Sequence, residues 1–99
     1  MITLSQIRQA VAQIAPRYKI HEVELFGSYA TGRVTARSDV DLLVTFTENP
    51  ISLLEVFGFQ EEASRRLNVP VDVVKSPVGE PRDPNFSIGK TINVYQRQG

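Results

Sequence analysis

The chain contains no cysteine, which excludes disulfide bonds and thiolate metal sites. Its one histidine, His21, cannot build an imidazole metal cage either. Neither sign of charge is in excess, since eleven basic and eleven acidic residues cancel. A protein that grips nucleic acid by neutralising phosphates normally shows a basic surplus, so direct nucleic-acid binding is not expected. No apolar run approaches the roughly 20 residues of a membrane span. The opening "MITLSQIRQA" lacks the charged start and continuous apolar stretch of a signal peptide. A cytoplasmic location away from membranes is the expectation. Repeats, low-complexity tracts and linkers are also missing.

What remains is the composition of an ordinary globular protein, 99 residues with 41% hydrophobic and 22% charged. That length makes a single domain over residues 1–99, with a core at about 3–75. The tail, 76–99, opens with the proline-broken "SPVGEPRDPN" and leaves its structure open, although "TINVY" has strand composition.

Leu4, Ile7, Val11 and Ile14 recur at helical spacing and predict a helix from Leu4 to about Ala15, ended by Pro16. Thr3 with Gln6 forms a capping-box pattern at its start, and Ile2 can staple onto Ile7. "KIHEVELFG" alternates as a strand, with His21, Val23 and Leu25 on one face, which makes His21 a partly buried structural residue rather than a catalytic one. Gly27-Ser28 breaks it, and "SYATG" allows one helical turn. "DVDLLVTFT" is a second strand. Ser52 with Glu55 is a second capping box. It opens a helix to about Leu67, with Leu53, Val56, Phe57, Gln60, Ala63 and Leu67 on one side. Asn68 suits a left-handed cap, and "VPVDVV" is a third strand. Glu61-Glu62 with Arg65-Arg66 fit a solvated face of i,i+4 pairs.

The chemistry lies in "LFGSYATGRVTARSDVDLLV", Leu25 to Val44. Residues two apart on a strand share a face, so Asp39, Asp41 and Leu43 lie opposite Val40, Leu42 and Val44. The apolar set should receive the helices, leaving the carboxylates on the uncovered side. The same parity turns Asp72 away from the helices, and pairing of the second and third strands would bring three carboxylates together. Such a cluster persists when a cation neutralises it, and all-oxygen donors favour Mg²⁺ or Mn²⁺. A glycine at a strand end lets backbone approach a ligand, and the helical turn after it offers amides to an anion. Carboxylates and metal beside a phosphate-binding turn equip a site for nucleotidyl transfer.

The segment "GSYATGRVTARSDVDLLV" resembles the signature of the minimal nucleotidyltransferases, in the polymerase β-like superfamily: G-S-x-A-R-G, a spacer, then S-D-x-D-L. "VDVV" matches the later strand that brings a third carboxylate, and the resemblance covers about Leu4 to Val74. It implies an α/β (α+β) nucleotidyltransferase fold. In that fold helices pack on one face of a mixed sheet of three or four strands, and the active site lies on the other. It further implies that Gly27 and Ser28 hold the nucleotide triphosphate. Asp39 and Asp41 bind Mg²⁺ or Mn²⁺, and Asp72 completes the metal site and helps activate the attacking hydroxyl. The family's frequent arginine is Thr31 here, and Arg33 is the nearby residue that could stand in for it at the nucleotide.

Members of this family commonly accompany a HEPN-domain partner, often a ribonuclease toxin. The resemblance therefore implies an antitoxin that transfers AMP from ATP to a hydroxyl of that partner, in a homo- or hetero-oligomer. Thr31 and the short, proline-broken C-terminal third motivate a second reading, an antitoxin that acts by binding alone with a vestigial site. A small-molecule nucleotidyltransferase fits less well, because the further helical domain of such enzymes has no counterpart here.

Overall fold

The computed structural model describes residues 2–35, 39–48, 50–76 and 90–97. The elements run in the order α1 (Leu4–Ile14), β1 (Ile20–Phe26), α2 (Ser28–Thr31), β2 (Val40–Phe46), α3 (Leu53–Leu67), β3 (Val71–Ser76) and β4 (Ile92–Gln96), with a 3₁₀ turn at Ala15–Arg17 after α1. The strands form one mixed sheet in the order β3-β2-β1-β4. β1 lies antiparallel to both β2 and β4, while β2 and β3 are parallel. A parallel pair needs a crossover, and α3 supplies it. This is the mixed sheet the sequence leads one to expect, with "TINVY" as its fourth strand; the proline-rich 77–89 lies outside the described residues.

The start of α1 follows local chemistry. Thr3 Oγ1 accepts from Gln6 N–H, and the Gln6 side chain accepts from Thr3 N–H at 2.7 Å, a complete capping box. Ile7, Ala10, Val11 and Ile14 are its buried face. α3 differs in two respects. Ser52 Oγ accepts from Leu54 N–H, but Glu55 turns instead toward the Lys19 amide, so the second capping box does not close.

The buried side of α3 is Val56, Phe59, Ala63 and Leu67, while Leu53 and Phe57 are 59% and 56% exposed. Two residues of the expected face are therefore on the outside. Phe59 packs edge-on to Tyr18, with ring centroids 5.9 Å apart. Gly58 allows this approach, since a Cβ there would lie only 3.1 Å from the Tyr18 ring. Of the four charges on the polar side, only Arg65 and Glu61 form the expected i,i+4 pair, at 3.9 Å. Glu62 instead meets Arg17 and Tyr18, and Arg66 meets Gln13, which ties α3 to α1 and the turn after it.

The core is one layer between the helices and the sheet, joining these side chains to Ile20, Val23, Leu25, Val40, Leu42, Val44, Phe46, Val71 and Val94. His21 is exposed, against expectation. A register shift between Ile20 and Glu22 breaks the alternation, so Ile20 joins Val23 and Leu25 inside. Asn68 does adopt the left-handed cap, at φ 58°.

Because Phe59 is fully buried and Phe57 is not, truncation should separate them. Phe59→Ala should cost about 3–5 kcal/mol in urea unfolding, whereas Phe57→Ala should stay within about 0.5 kcal/mol.

Candidate active site

Three strand ends meet at one end of the sheet. β1 runs antiparallel to β2, which sets its last residue, Phe26, across from Asp41. β3 runs parallel to β2 and sets Asp72 directly beside Asp41. Asp39 precedes β2 by one residue, two positions from Asp41, so it keeps the same side. Val40, Leu42 and Val44, between and beyond them, are fully buried against the helices. The expected convergence of Asp39, Asp41 and Asp72 on the face away from the helices is thus what the strand register builds. That face is not bare, however, because Leu43 is only 4% exposed.

Electrostatics record the same convergence. The Asp41 carboxyl is held above its ordinary range, first by partial burial and then by the negative charges of Asp72 and Asp39. Asp39 is half-buried and Asp72 exposed. Among the described residues no three His, Cys, Asp or Glu side chains close into a metal cage. A hard divalent ion does not need one, since it takes one or two carboxylates and completes its shell with waters and substrate phosphates. The donor chemistry therefore fits such an ion, with Asp39, Asp41 and Asp72 as the residues that could hold it.

Gly27 lies against this cluster. Its backbone, at φ 73° and ψ −150°, occupies a region open essentially to glycine alone. A Cβ built there would collide with Asp41 Oδ2 and lie 3.2 Å from its Cγ. Two independent constraints thus demand glycine at this position. The chain then turns at once into α2, where the Ala30 and Thr31 amides both donate to the Gly27 carbonyl at 3.1 Å. Ser28 and Tyr29 head the turn, where amides have no intrahelical acceptor. Arg33 N–H donates to Ser28 O at 3.0 Å, and Gly32 closes the turn at φ 77°.

Thr31 has a role in this turn that residue type alone does not reveal. Its hydroxyl reaches the Gly27 carbonyl at 3.3 Å and the Ser28 carbonyl at 3.4 Å. The Arg33 side chain is exposed and forms no ion pair with the carboxylates among the described residues. Ser38 of the motif lies outside them.

The model of the family described as "Nucleotidyltransferase domain" matches residues 4–95. The chain belongs to the nucleotidyltransferases. It is 36% identical over 78 residues to a protein adenylyltransferase, MntA, of Thermococcus cleftensis, covering 75% of this chain and 78% of that one. A solved minimal nucleotidyltransferase superposes on it with a TM-score of 0.64 at 34% identity, covering 75% of this chain and 78% of the other. A complex of a tri-AMPylated Shewanella oneidensis HEPN toxin with MNT antitoxin gives a TM-score of 0.64 at 13% identity, a likeness of fold covering 96% of this chain and 74% of the other. Within this nucleotidyltransferase, the carboxylate cluster and the Gly27 turn are the parts whose geometry suits transfer from a triphosphate.

Gly27→Ala should destabilise the fold by about 1–3 kcal/mol from backbone strain, before any displacement of Asp41, and melting should show it as a drop of several degrees. Asp41→Asn should do the opposite. With its carboxyl raised, the native state binds more protons than the unfolded chain between the two pKa values, so stability falls as pH rises through that window. In chelator, Asp41→Asn should therefore melt above the parent at neutral pH. The gap should close as pH falls through the ordinary aspartate range, and an Asp41→Asn protein that melts lower at pH 7 would contradict the reading.

Proposed function

We propose that this nucleotidyltransferase transfers AMP from ATP to a hydroxyl of a HEPN-domain toxin protein and serves as that protein's antitoxin. The observation that carries the reading is the register that sets Asp72 beside Asp41 while Gly27 packs against the same Asp41 carboxylate. In this reading the acidic and anion-binding halves of the site adjoin, which supports it. The adenylyltransferase relative and the fold shared with an MNT antitoxin in complex with an AMPylated HEPN toxin support the choice of nucleotide and acceptor.

In this reading the Gly27–Ser28 turn receives the phosphates, with the amides that head α2 as donors and Arg33 as the nearby cation. Asp39, Asp41 and Asp72 would hold Mg²⁺ or Mn²⁺, which neutralises charge developing on the phosphoryl oxygens. Asp72, the exposed member, takes the proton of the attacking hydroxyl, and pyrophosphate leaves toward the turn.

Binding without catalysis remains the competing account, and Thr31 was the feature that favoured it. Its hydroxyl braces the turn that an arginine could have braced, so the phosphate half keeps its shape.

The test uses ATP labelled in the adenosine and α-phosphate, Mg²⁺, and a HEPN-domain protein as acceptor. Label should move to the partner, and Asp39→Ala or Asp41→Ala should lower the rate at least about 100-fold. Full transfer by either variant overturns the mechanism. Growth rescue by the inactive double variant would favour neutralisation by binding.

A further inference from the structure

The sheet order leaves β3 as an edge strand, one position from the candidate site. Its alternate residues face different ways. Val40 N–H donates to Pro70 O at 2.9 Å, so the even positions of β3 make the ladder with β2. Val73 N–H points outward instead, to Gln60 Oε1 at 3.0 Å. The outward row is therefore Val71, Val73 and Lys75. α3 occupies only part of it: Gln60 takes the Val73 amide, and just before the strand Ser64 Oγ donates to Val69 O at 2.8 Å. The outward groups of Val71 and Lys75 have no partner among the described residues. Open strand edges of this kind pair with another chain unless they are covered.

Beside this edge lies a cavity of about 510 Å³, whose walls include Gln60, Ser64, Arg65, Asn68, Pro70 and Val71. It lies on the helix side of the sheet, along the same edge strand that carries Asp72 on its opposite face. Its place also matches the direction of the reaction. An in-line displacement has the leaving group and the attacking oxygen on opposite sides of the phosphorus. Gly27, on the β1 side of Asp41, marks the pyrophosphate end, which puts the acceptor on the β3 side.

We propose that the outer edge of β3 and the adjoining cavity seat an extended segment of the acceptor protein, paired as a fifth strand with its hydroxyl-bearing residue across from Asp72. The inference rests on the adenylyl-transfer reading above and specifies how the acceptor is held. Residues facing each other on neighbouring strands have Cβ atoms about 4.5–5.5 Å apart and share a face, so the hydroxyl would stand over the carboxylate side of the sheet. Main-chain pairing supplies affinity, and the polar cavity wall supplies selectivity. The acceptor oxygen then bonds to the α-phosphorus as the bond from that phosphorus to the α–β bridging oxygen breaks. The electron pair leaves with pyrophosphate, and the hydroxyl proton passes to Asp72. In the free chain Gln60 acts as a placeholder on the Val73 amide that the incoming strand's carbonyl displaces.

Two variants test this with the HEPN-domain protein as acceptor. In Lys75→Pro the ring replaces an outward N–H and leaves the ladder with β2 intact. Arg65→Glu reverses charge on the cavity wall at an exposed helix position. Circular dichroism and melting establish that each is folded. Each should raise the KM for the acceptor about tenfold or more, with the KM for ATP within about twofold of the parent. An acceptor KM unchanged in both folded variants overturns the docking and leaves adenylyl transfer standing. Absence of transfer by the unaltered chain overturns that reading, and the docking falls with it.

Discussion

The contact between the Asp41 carboxylate and the backbone of Gly27 organises the candidate site. It fixes the turn at φ 73°, because no side chain fits between the end of β1 and that carboxylate. It also partly buries a negative charge already next to Asp72 and near Asp39, which raises the proton affinity of Asp41. Neither effect helps the chain fold. Strained backbone and crowded like charges are both costs that surrounding structure must offset, and they gather where function needs them.

The offset comes from the other face of the same strand. Val40, Leu42 and Val44 are fully buried beneath α1 and α3, which anchors β2 while Asp41 projects the opposite way. β2 is central, bonded to β1 on one side and β3 on the other, so both neighbours hold the acidic strand in register. The helices reach the sheet by bonds as well as by burial, as Gln60 on Val73 and Arg8 on the Asn93 carbonyl illustrate. A small domain thus assigns one face of a strand to stability and the other to charge.

Much of this was legible before any coordinates. Period-two alternation placed Asp41 and Asp72 on the open side, and pairing needed only parallel β2 and β3 to bring them together. The failures have local causes. His21 was expected inward because alternation was carried through Ile20–Glu22, where a register shift resets it. Phe57 was grouped with Val56 along one side of the helix, yet the Tyr18–Phe59 packing favours a different rotation of α3. Glu55 left Ser52 for the Lys19 amide, a partner 36 residues away that no local pattern reveals. The Gly27–Asp41 contact is equally invisible in sequence, since it arises only when β1 and β2 pair.

Thr31 shows how a departure from a family pattern divides into separable functions. An arginine at this position could brace the turn and carry positive charge toward phosphate. The threonine hydroxyl supplies the first, by hydrogen bonds to the Gly27 and Ser28 carbonyls. It cannot supply the second. Arg33 is the cation close by in sequence, and it is exposed and unpaired with the carboxylates among the described residues. The chain as a whole offers no basic surplus to compensate. In the adenylyl-transfer reading the triphosphate charge is therefore met mainly by backbone amides and by metal ions from solution, which the three carboxylates are placed to attract. The missing positive charge and the crowded negative charge then have one common remedy.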